Sequence, residues 1–393
     1  METIVFIGCN KSGTSRDALK IAKKMGYYVV LITNQKKHLL QRSEFPEVDQ
    51  LIYKENMEES KQVVIALKRS GKEICACLSF VDPFVTFAAK LQEEMGLFSL
   101  STDALFLLED KIRFREALCE LPSSPFFSIY DGSTTLNPID GPVIIKPPAS
   151  NGSKDVILVR TNEELQQTLK TAKLPVLIEE FLEGPQFLIE VVVHDGNIHI
   201  VAIIEQEITN GERFIVTGYQ YPALLELEQE EALRQEVASI IRTIALRNGS
   251  CHLEMRFVNG KWRLIEINPR MSGGAMNRII LAGTGINLVQ EIIQLNTGKE
   301  PIFQTTKSQA VYAKFITVQS RGRLVKVTGR KRASRRKGVI EVYVKPKKGT
   351  VMTRPMSLGN RYAYVIATGE TVEEAKANAV NAAQEIRFIM ERI

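Results

Sequence analysis

The sequence is short of the residues that build metal cages and disulfide frameworks. Its five cysteines (Cys9, Cys75, Cys77, Cys119, Cys251) form no CxxC and no paired metal spacing, and its four histidines are scattered. An odd, sparse set lying within apolar patterns fits reduced core thiols in the cytoplasm, and makes a stapled secreted domain or a zinc site improbable. Long apolar runs are missing as well. Nothing approaches the roughly 18 residues that a membrane span needs, and Lys11, Arg16 and Asp17 interrupt the N-terminus before any leader-like stretch. There is no internal repeat and no low-complexity segment. What remains is an ordinary globular mixture, 44% hydrophobic and 24% charged over 393 residues. At about 150 residues per domain, two or three domains are expected.

Charge is unevenly spread. The formal net charge is +6, yet Arg321 to Lys348 alone holds twelve basic residues and one acid, Glu341. The rest is therefore an acidic body, and any nucleic-acid reading rests on that one segment. Tyr343 is its only aromatic, too few for a base-stacking platform. Val325, Val327, Val339, Ile340, Val342 and Val344 alternate with its charges, as in paired strands with one solvated face.

Along the chain, strands at Ile4–Gly8 and Tyr28–Thr33 flank a helix from Ser15 to Met25, a βαβ unit that predicts a parallel sheet. Similar material continues to about residue 100. The turn Gly8-Cys9-Asn10-Lys11-Ser12-Gly13-Thr14-Ser15 approaches a P-loop, but Thr14 stands where the phosphate-binding lysine belongs, so it reads as a packing turn. Asp103 to Leu121 reads as one helix carrying Asp110-Lys111. A strand at Pro142–Lys146 then leads into the polar loop PPASNGSK, and Thr161-x-x-Glu164 opens a helix. Strands follow at 176–181, 187–193 and 198–204, then a long amphipathic helix over 228–246. Near the end, Thr371-x-x-Glu374 opens a helix with apolar residues at Ala375, Ala379, Ala382, Ile386 and Ile389.

The informative constellation is Glu254, Glu266, Asn268 and Arg270, in HLEMRFV and WRLIEINPR around Asn259-Gly260. Residues 266, 268 and 270 share a strand face. Glu254 joins them only if the pairing slips by one residue. A strict Asn-Gly turn sets 254 opposite 265, whereas a three-residue loop (259–261) or a bulge sets it opposite 266. The slipped form is expected, because it alone makes one oxygen-rich site. Two carboxylates and an amide oxygen in an apolar strand suit one or two Mg²⁺ ions shared with phosphates. Arg270 supplies a fixed positive fork, and Gly273-Gly274 allows backbone N–H groups to approach a substrate.

In order, Lys111 on a helix, VIIKPPASNGSKDV, IEEFLEGP, HLEMRF and LIEINPRMSGG resemble the ATP-grasp ligase superfamily, over nearly the whole chain. The resemblance implies an α/β ATP-grasp fold: a Rossmann-like N-terminal domain with a parallel sheet (1–100), a small lobe with its leading helix and flexible phosphate loop (101–190), and a large lobe with the metal site and C-terminal segment (191–393). It implies that Lys111 and Lys146 bind the ATP phosphates, that the 149–154 loop, with Ser150, Gly152 and Ser153, closes over them, and that Glu179 with the backbone of Phe181 and Leu182 reads the adenine. Gln186 would face the ribose, where many members have Glu. Glu254, Glu266 and Asn268 would hold two Mg²⁺, with Mn²⁺ as a substitute ion, and Arg270 would stabilise an acyl phosphate.

Within the superfamily the chain most resembles bacterial L-amino-acid ligases. That implies a cytoplasmic, ATP-dependent carboxylate–amine ligase acting on small amino-acid substrates, a homodimer, with neither nucleic acid nor membrane as partner. Such ligases often place Glu and His three apart in a pocket segment where FIVTGYQYPA has Val216 and Tyr219, so the substrate ammonium would fall to Glu205 or Glu207. The rival readings are an ATP-grasp carboxylase or nucleotide-precursor ligase, a non-catalytic nucleotide sensor, and a nucleic-acid-binding protein using residues 321–348.

Overall fold

The computed structural model describes every residue except 134–135, 150–151, 153–154 and 210–212. Strands β1 (Thr3–Ile7), β2 (Tyr28–Thr33), β3 (Gln50–Tyr53) and β4 (Ile74–Leu78) form a parallel sheet in the order β3-β2-β1-β4. Strand β1 is buried at every position, as expected where helices cover both faces. The turn after β1 is a packing device. Gly13 (φ 82°) lies so close to the backbone of Gly274 that a Cβ would stand 3.1 Å from its nitrogen, and Thr14 Oγ1 donates to the Ser272 carbonyl at 2.9 Å.

A second, antiparallel sheet, β5-β8-β6-β7, is built from β5 (Phe127–Tyr130), β6 (Val143–Lys146), β7 (Ile157–Val159) and β8 (Val176–Glu180). The helix Asn162–Thr171, capped by Thr161, packs Leu165 and Leu169 against Ile145 and Ile178.

The remaining strands are β9 (Gln186–His194), β10 (Asn197–Ile208), β11 (Val216–Tyr221), β12 (Gly249–Val258), β13 (Lys261–Asn268), β14 (Ala310–Ile316), β15 (Gly322–Thr328), β16 (Val339–Val344), β17 (Val351–Met352), β18 (Ala363–Gly369) and β19 (Arg387–Glu391). Eight of them form one antiparallel sheet, β13-β12-β9-β10-β11-β14-β18-β16. The helix Leu227–Thr243 covers one face through Leu233, Val237 and Ile240 against Ile189 and Leu253. Helices Met276–Thr284 and Leu288–Asn296 cover the other through Ile280 and Ile292, in one cluster with Leu188 and Val192. Burial on both faces accounts for the apolar run of β9, which only Glu190 interrupts between Phe187 and Val193. That strand runs through residue 190, the expected boundary between the second and third domains.

Three expectations are corrected. The single helix expected over 103–121 is two, Thr102–Leu108 and Lys111–Ala117, because the Asp110 carboxylate caps the second by accepting from Ile112 and Arg113 N–H. The last helix stops at Ala383, and Ile389 belongs to β19. The basic segment is not one pair of strands: β15 pairs with β17 and β19, while β16 pairs with β18, and Val325 and Ile340 are exposed. Its cations meet acids from the chain's end, Arg332 and Arg336 on Glu385 and Lys337 on Glu374. Among the described residues no helix is long and apolar enough to cross a membrane.

Candidate active site

The hairpin β12–β13 sets the site. Val258 pairs with Lys261 across a two-residue turn in which Asn259 (φ 49°) and Gly260 (φ 78°) are both left-handed. The turn is therefore the strict form, not the three-residue loop. The slip comes one step later: Met255 pairs with Leu264 and Glu254 with Glu266, leaving Ile265 as a bulge. The bulge brings the two carboxylates opposite each other and turns the Ile265 carbonyl toward Arg115 Nη2 (2.9 Å) and Lys146 Nζ (3.3 Å).

Facing the hairpin across a cleft is the small sheet. The cleft encloses about 700 Å³, counting the part open to solvent, and is lined by Lys111, Lys146, Glu179, Gln186, Glu254 and Glu266 among others. Each lysine is held by a carboxylate. Lys111 Nζ lies 3.0 Å from Glu266 and Lys146 Nζ 2.6 Å from Glu179. Burial pushes the Lys146 ammonium down against the attraction of Glu179. Burial would raise the Glu179 carboxyl, but Lys146 and Arg115 hold it below its usual range. Glu266 is likewise held low by Lys111 and Lys146 against burial. Glu254 goes the other way. Burial, and then the facing Glu266 charge, raise it to about 7. A carboxylate pushed up by its neighbour is a place where a cation is welcome.

Asn268 is oriented by a residue that the sequence reading passed over. His252 Nδ1 lies 2.7 Å from the Arg270 carbonyl, which can only accept, so that nitrogen carries the proton. Nε2 then accepts from Asn268 Nδ2 at 3.3 Å, which leaves Asn268 Oδ1 for another partner. Burial, then the charge of Arg270, lower His252 to about 4, so the ring is neutral. Among the described residues no three His, Cys, Asp or Glu side chains could enclose a metal by themselves. The donor set of Glu254, Glu266 and Asn268 suits Mg²⁺, which keeps part of its shell for water and phosphate.

The apolar end of the cleft is lined by Phe181 and Phe214, whose rings pack on each other with centroids 5.9 Å apart, and the Arg256 guanidinium lies over both. Arg256 also donates to the Leu182 carbonyl, and Phe181 N–H donates to the Pro142 carbonyl at 3.0 Å. Glu179 points to the lysine end, and its neighbour Glu180 accepts from Phe126 N–H and Arg263. The Gln186 amide donates to Gln206 (2.7 Å) and Glu254 (3.2 Å) and accepts from Arg256 (3.0 Å). Gly152 accepts from Leu358 N–H at 3.2 Å. Ser150 and Ser153 lie outside the described residues.

Arg270 stands apart from the cleft's lining. Its Nε lies 2.9 Å from both carboxylate oxygens of Asp82, in the loop after β4, and Nη1 donates to the Met271 carbonyl. Four residues on, Gly274 lines a second cavity, and Gly273 is not among its lining residues. The candidates for a substrate ammonium, Glu205 and Glu207, are corrected. They alternate with Gln206 and so face away from the cleft, and Glu207 is taken by Tyr312, Lys314 and Lys376, which lower it to about 2 despite burial.

Arg115, Gln206, Phe214, Arg256, His252 and Asp82 were missed. Three of them carried a signal: Arg115 is four residues beyond Lys111 on one helix face, and His252 and Arg256 flank Glu254 at the strand period of two.

Comparison with known proteins decides what the cleft belongs to. The model of the ATP-grasp domain matches residues 139–278, which contain Lys146, Glu179 and the whole metal hairpin. The chain carries an ATP-grasp domain. A second model, L-amino acid ligase C-terminal domain 2, matches residues 314–391, the strands that follow the ATP-grasp unit. The chain is 26% identical over 256 residues (62% of its length, 52% of the relative) to an uncharacterized protein of Sinorhizobium fredii. It is 22% identical over 316 residues (72% of its length, 38% of the relative) to carnosine synthase 1 of Homo sapiens. It thus spans about half or less of the curated relatives it matches. An L-amino acid ligase from Bacillus licheniformis superposes over 100% of this chain and 99% of its own, with a TM-score of 0.87 at 22% identity. The fold is therefore that of an ATP-grasp protein: a parallel N-terminal sheet, and antiparallel sheets that hold the cleft between them.

Proposed function

We propose that the chain is an ATP-dependent carboxylate–amine ligase that joins two L-amino acids, or an amino acid and an amine, with release of ADP and phosphate. One observation supports this above the others: Lys111, Lys146, Glu254 and Glu266 meet in one ATP-grasp cleft, and the second cavity beside it is walled by the segment that matches the L-amino acid ligase C-terminal domain.

Lys111 and Lys146 leave Glu266 and Glu179 to hold the ATP phosphates, while the apolar wall of Phe181 and Phe214 packs against the adenine and Gln186 faces the ribose. Glu254, Glu266 and Asn268 would hold Mg²⁺, two ions in this reading, which supply charge neutralisation on the phosphates. A substrate carboxylate oxygen bonds to the γ-phosphorus as the β–γ bridge breaks and ADP leaves with the electron pair. The amine nitrogen of the second substrate then bonds to the acyl carbon, the carbon–oxygen bond to phosphate breaks, and the amine gives up a proton. The chain's part is to orient, to neutralise charge and to exclude the water that would hydrolyse the acyl phosphate. Arg270, anchored on Asp82, fixes positive charge where the strand leaves the metal residues.

The test is a screen of L-amino-acid pairs with ATP and Mg²⁺, reading phosphate release and then product mass. A dipeptide with equimolar ADP is expected. AMP and pyrophosphate would overturn the acyl-phosphate scheme, and ADP release dependent on bicarbonate instead of an amine would replace the ligase with a carboxylase.

A further inference from the structure

The second cavity, about 600 Å³ including its open part, lies beyond the metal hairpin, lined by Gly13 and Gly274 on one side and by Phe315, Tyr343, Lys345 and Arg361 on the other. It carries a cation that no carboxylate among the described residues neutralises. The Arg361 guanidinium lies 4.0 Å from the centroid of Phe315 and 5.8 Å from that of Tyr219. Its Nη1 is shut off from solvent, and among the described residues it has no hydrogen-bond partner and no carboxylate pairs with it. Arg278, on the same cavity wall, is the contrast, being paired with both Asp17 and Glu341. Lys345 adds a second positive charge, its ammonium donating to the Gly359 carbonyl at 2.9 Å. Aromatic faces compensate a guanidinium in part, but a donor closed off from water without an acceptor is an incomplete site.

We infer that Arg361 receives the carboxylate of the amine-side substrate, an amino acid whose α-carboxylate survives the reaction. This rests on the ligase reading and deepens it. Of two joined amino acids, one carboxylate is consumed at the phosphates and one is not. The consumed group belongs in the cleft with Lys111, Lys146 and the metal residues. The surviving one needs a fixed anchor within one carbon of the attacking nitrogen. Arg361 Nη2 stands 3.9 Å from where a Cβ on Gly274 would sit, six residues beyond Asn268, so an amine held there faces the end of the metal strand. A guanidinium grips a carboxylate with two parallel N–H groups, which fixes direction as well as position.

The test compares acceptors with and without that carboxylate. For the best amine-side amino acid of the screen, kcat/KM is measured for the acid and for its α-amide, in the wild-type chain and in Arg361→Met and Arg361→Lys. The wild type is expected to prefer the acid by about 100-fold, since a buried donor left unpaired discriminates strongly. Arg361→Met should bring the ratio of acid to amide close to one, and Arg361→Lys to an intermediate value, as a cation without the fork. An unchanged ratio in Arg361→Met, or an equal loss on both acceptors, overturns the assignment and makes Arg361 structural. If Arg361→Met does not fold, as judged by its thermal midpoint, Arg361→Lys decides by the same ratio. A wild-type chain that releases no phosphate with any amine overturns the ligase reading itself, and this assignment with it.

Discussion

At the scale of single residues the site is a set of charges that hold one another in place. Glu190 is the extreme case. It is fully buried beneath the loop after Asn268, accepts from Ser272 N–H at 2.9 Å, and its other oxygen has no partner among the described residues. Burial raises its carboxyl to about 8, against smaller opposing effects from Ser272 and Arg270. A carboxyl raised in the folded state contributes stability that is complete below its unfolded value and lost as pH climbs through the folded one. Between pH 5 and 8.5 the wild type should therefore lose on the order of 2–4 kcal/mol relative to Glu190→Gln, whose amide stays neutral throughout. Denaturant midpoints at the two pH values check this, and parallel profiles would show that Glu190 ionises freely. Asp82 poses a different question, because it lies in the loop after β4 of the N-terminal unit and yet fixes Arg270. Arg270→Ala should abolish ligation, and Asp82→Ala should lower kcat by about 10²-fold, both with little change in the KM for ATP. A rise in the KM for ATP instead would place Arg270 on the nucleotide.

At the scale of elements, the hairpin shows what was legible in the sequence and what was not. Alternation marked 266, 268 and 270 as one face, and the need for a common oxygen site implied a one-residue slip. The location of that slip was not readable. Asn259-Gly260 is a strong two-residue turn signal and forms that turn, while the extra residue, Ile265, looks like any other strand residue. Glu205 and Glu207 were misplaced for a related reason: a period of two tells which residues share a face but not which face meets the cleft. The bulge has its own consequence. Deleting Ile265 leaves Glu254 opposite Glu266 but removes the carbonyl that Arg115 and Lys146 share. The variant should keep its fold, lose about 1–3 kcal/mol from two buried cationic donors, and bind ATP about 10-fold more weakly. Calorimetric titration with ATP and Mg²⁺ measures this, and wild-type affinity would mean that the bulge serves register alone.

At the scale of the molecule, three units converge on one strand end. The N-terminal unit reaches it through Thr14 on Ser272, Asp17 on Arg278 and Asp82 on Arg270. The small sheet brings Lys146 and Glu179, and the C-terminal strands bring Phe315 and Arg361. These long-range meetings were hidden from a linear reading, since no local pattern links residue 14 to 272 or 82 to 270, whereas the order of the motifs made the overall fold legible. The basic segment also finds its place here. Most of its charge is solvated or paired with Glu374 and Glu385, and Lys345 lines the second cavity. In the proposed reaction the cleft activates a carboxylate by phosphorylating it. An amino acid labelled with ¹⁸O in both carboxylate oxygens tests this step most directly, with ATP, Mg²⁺ and the amine partner found in the screen. One labelled oxygen should appear in the released phosphate for each dipeptide formed. Unlabelled phosphate, or label carried into AMP, would contradict it.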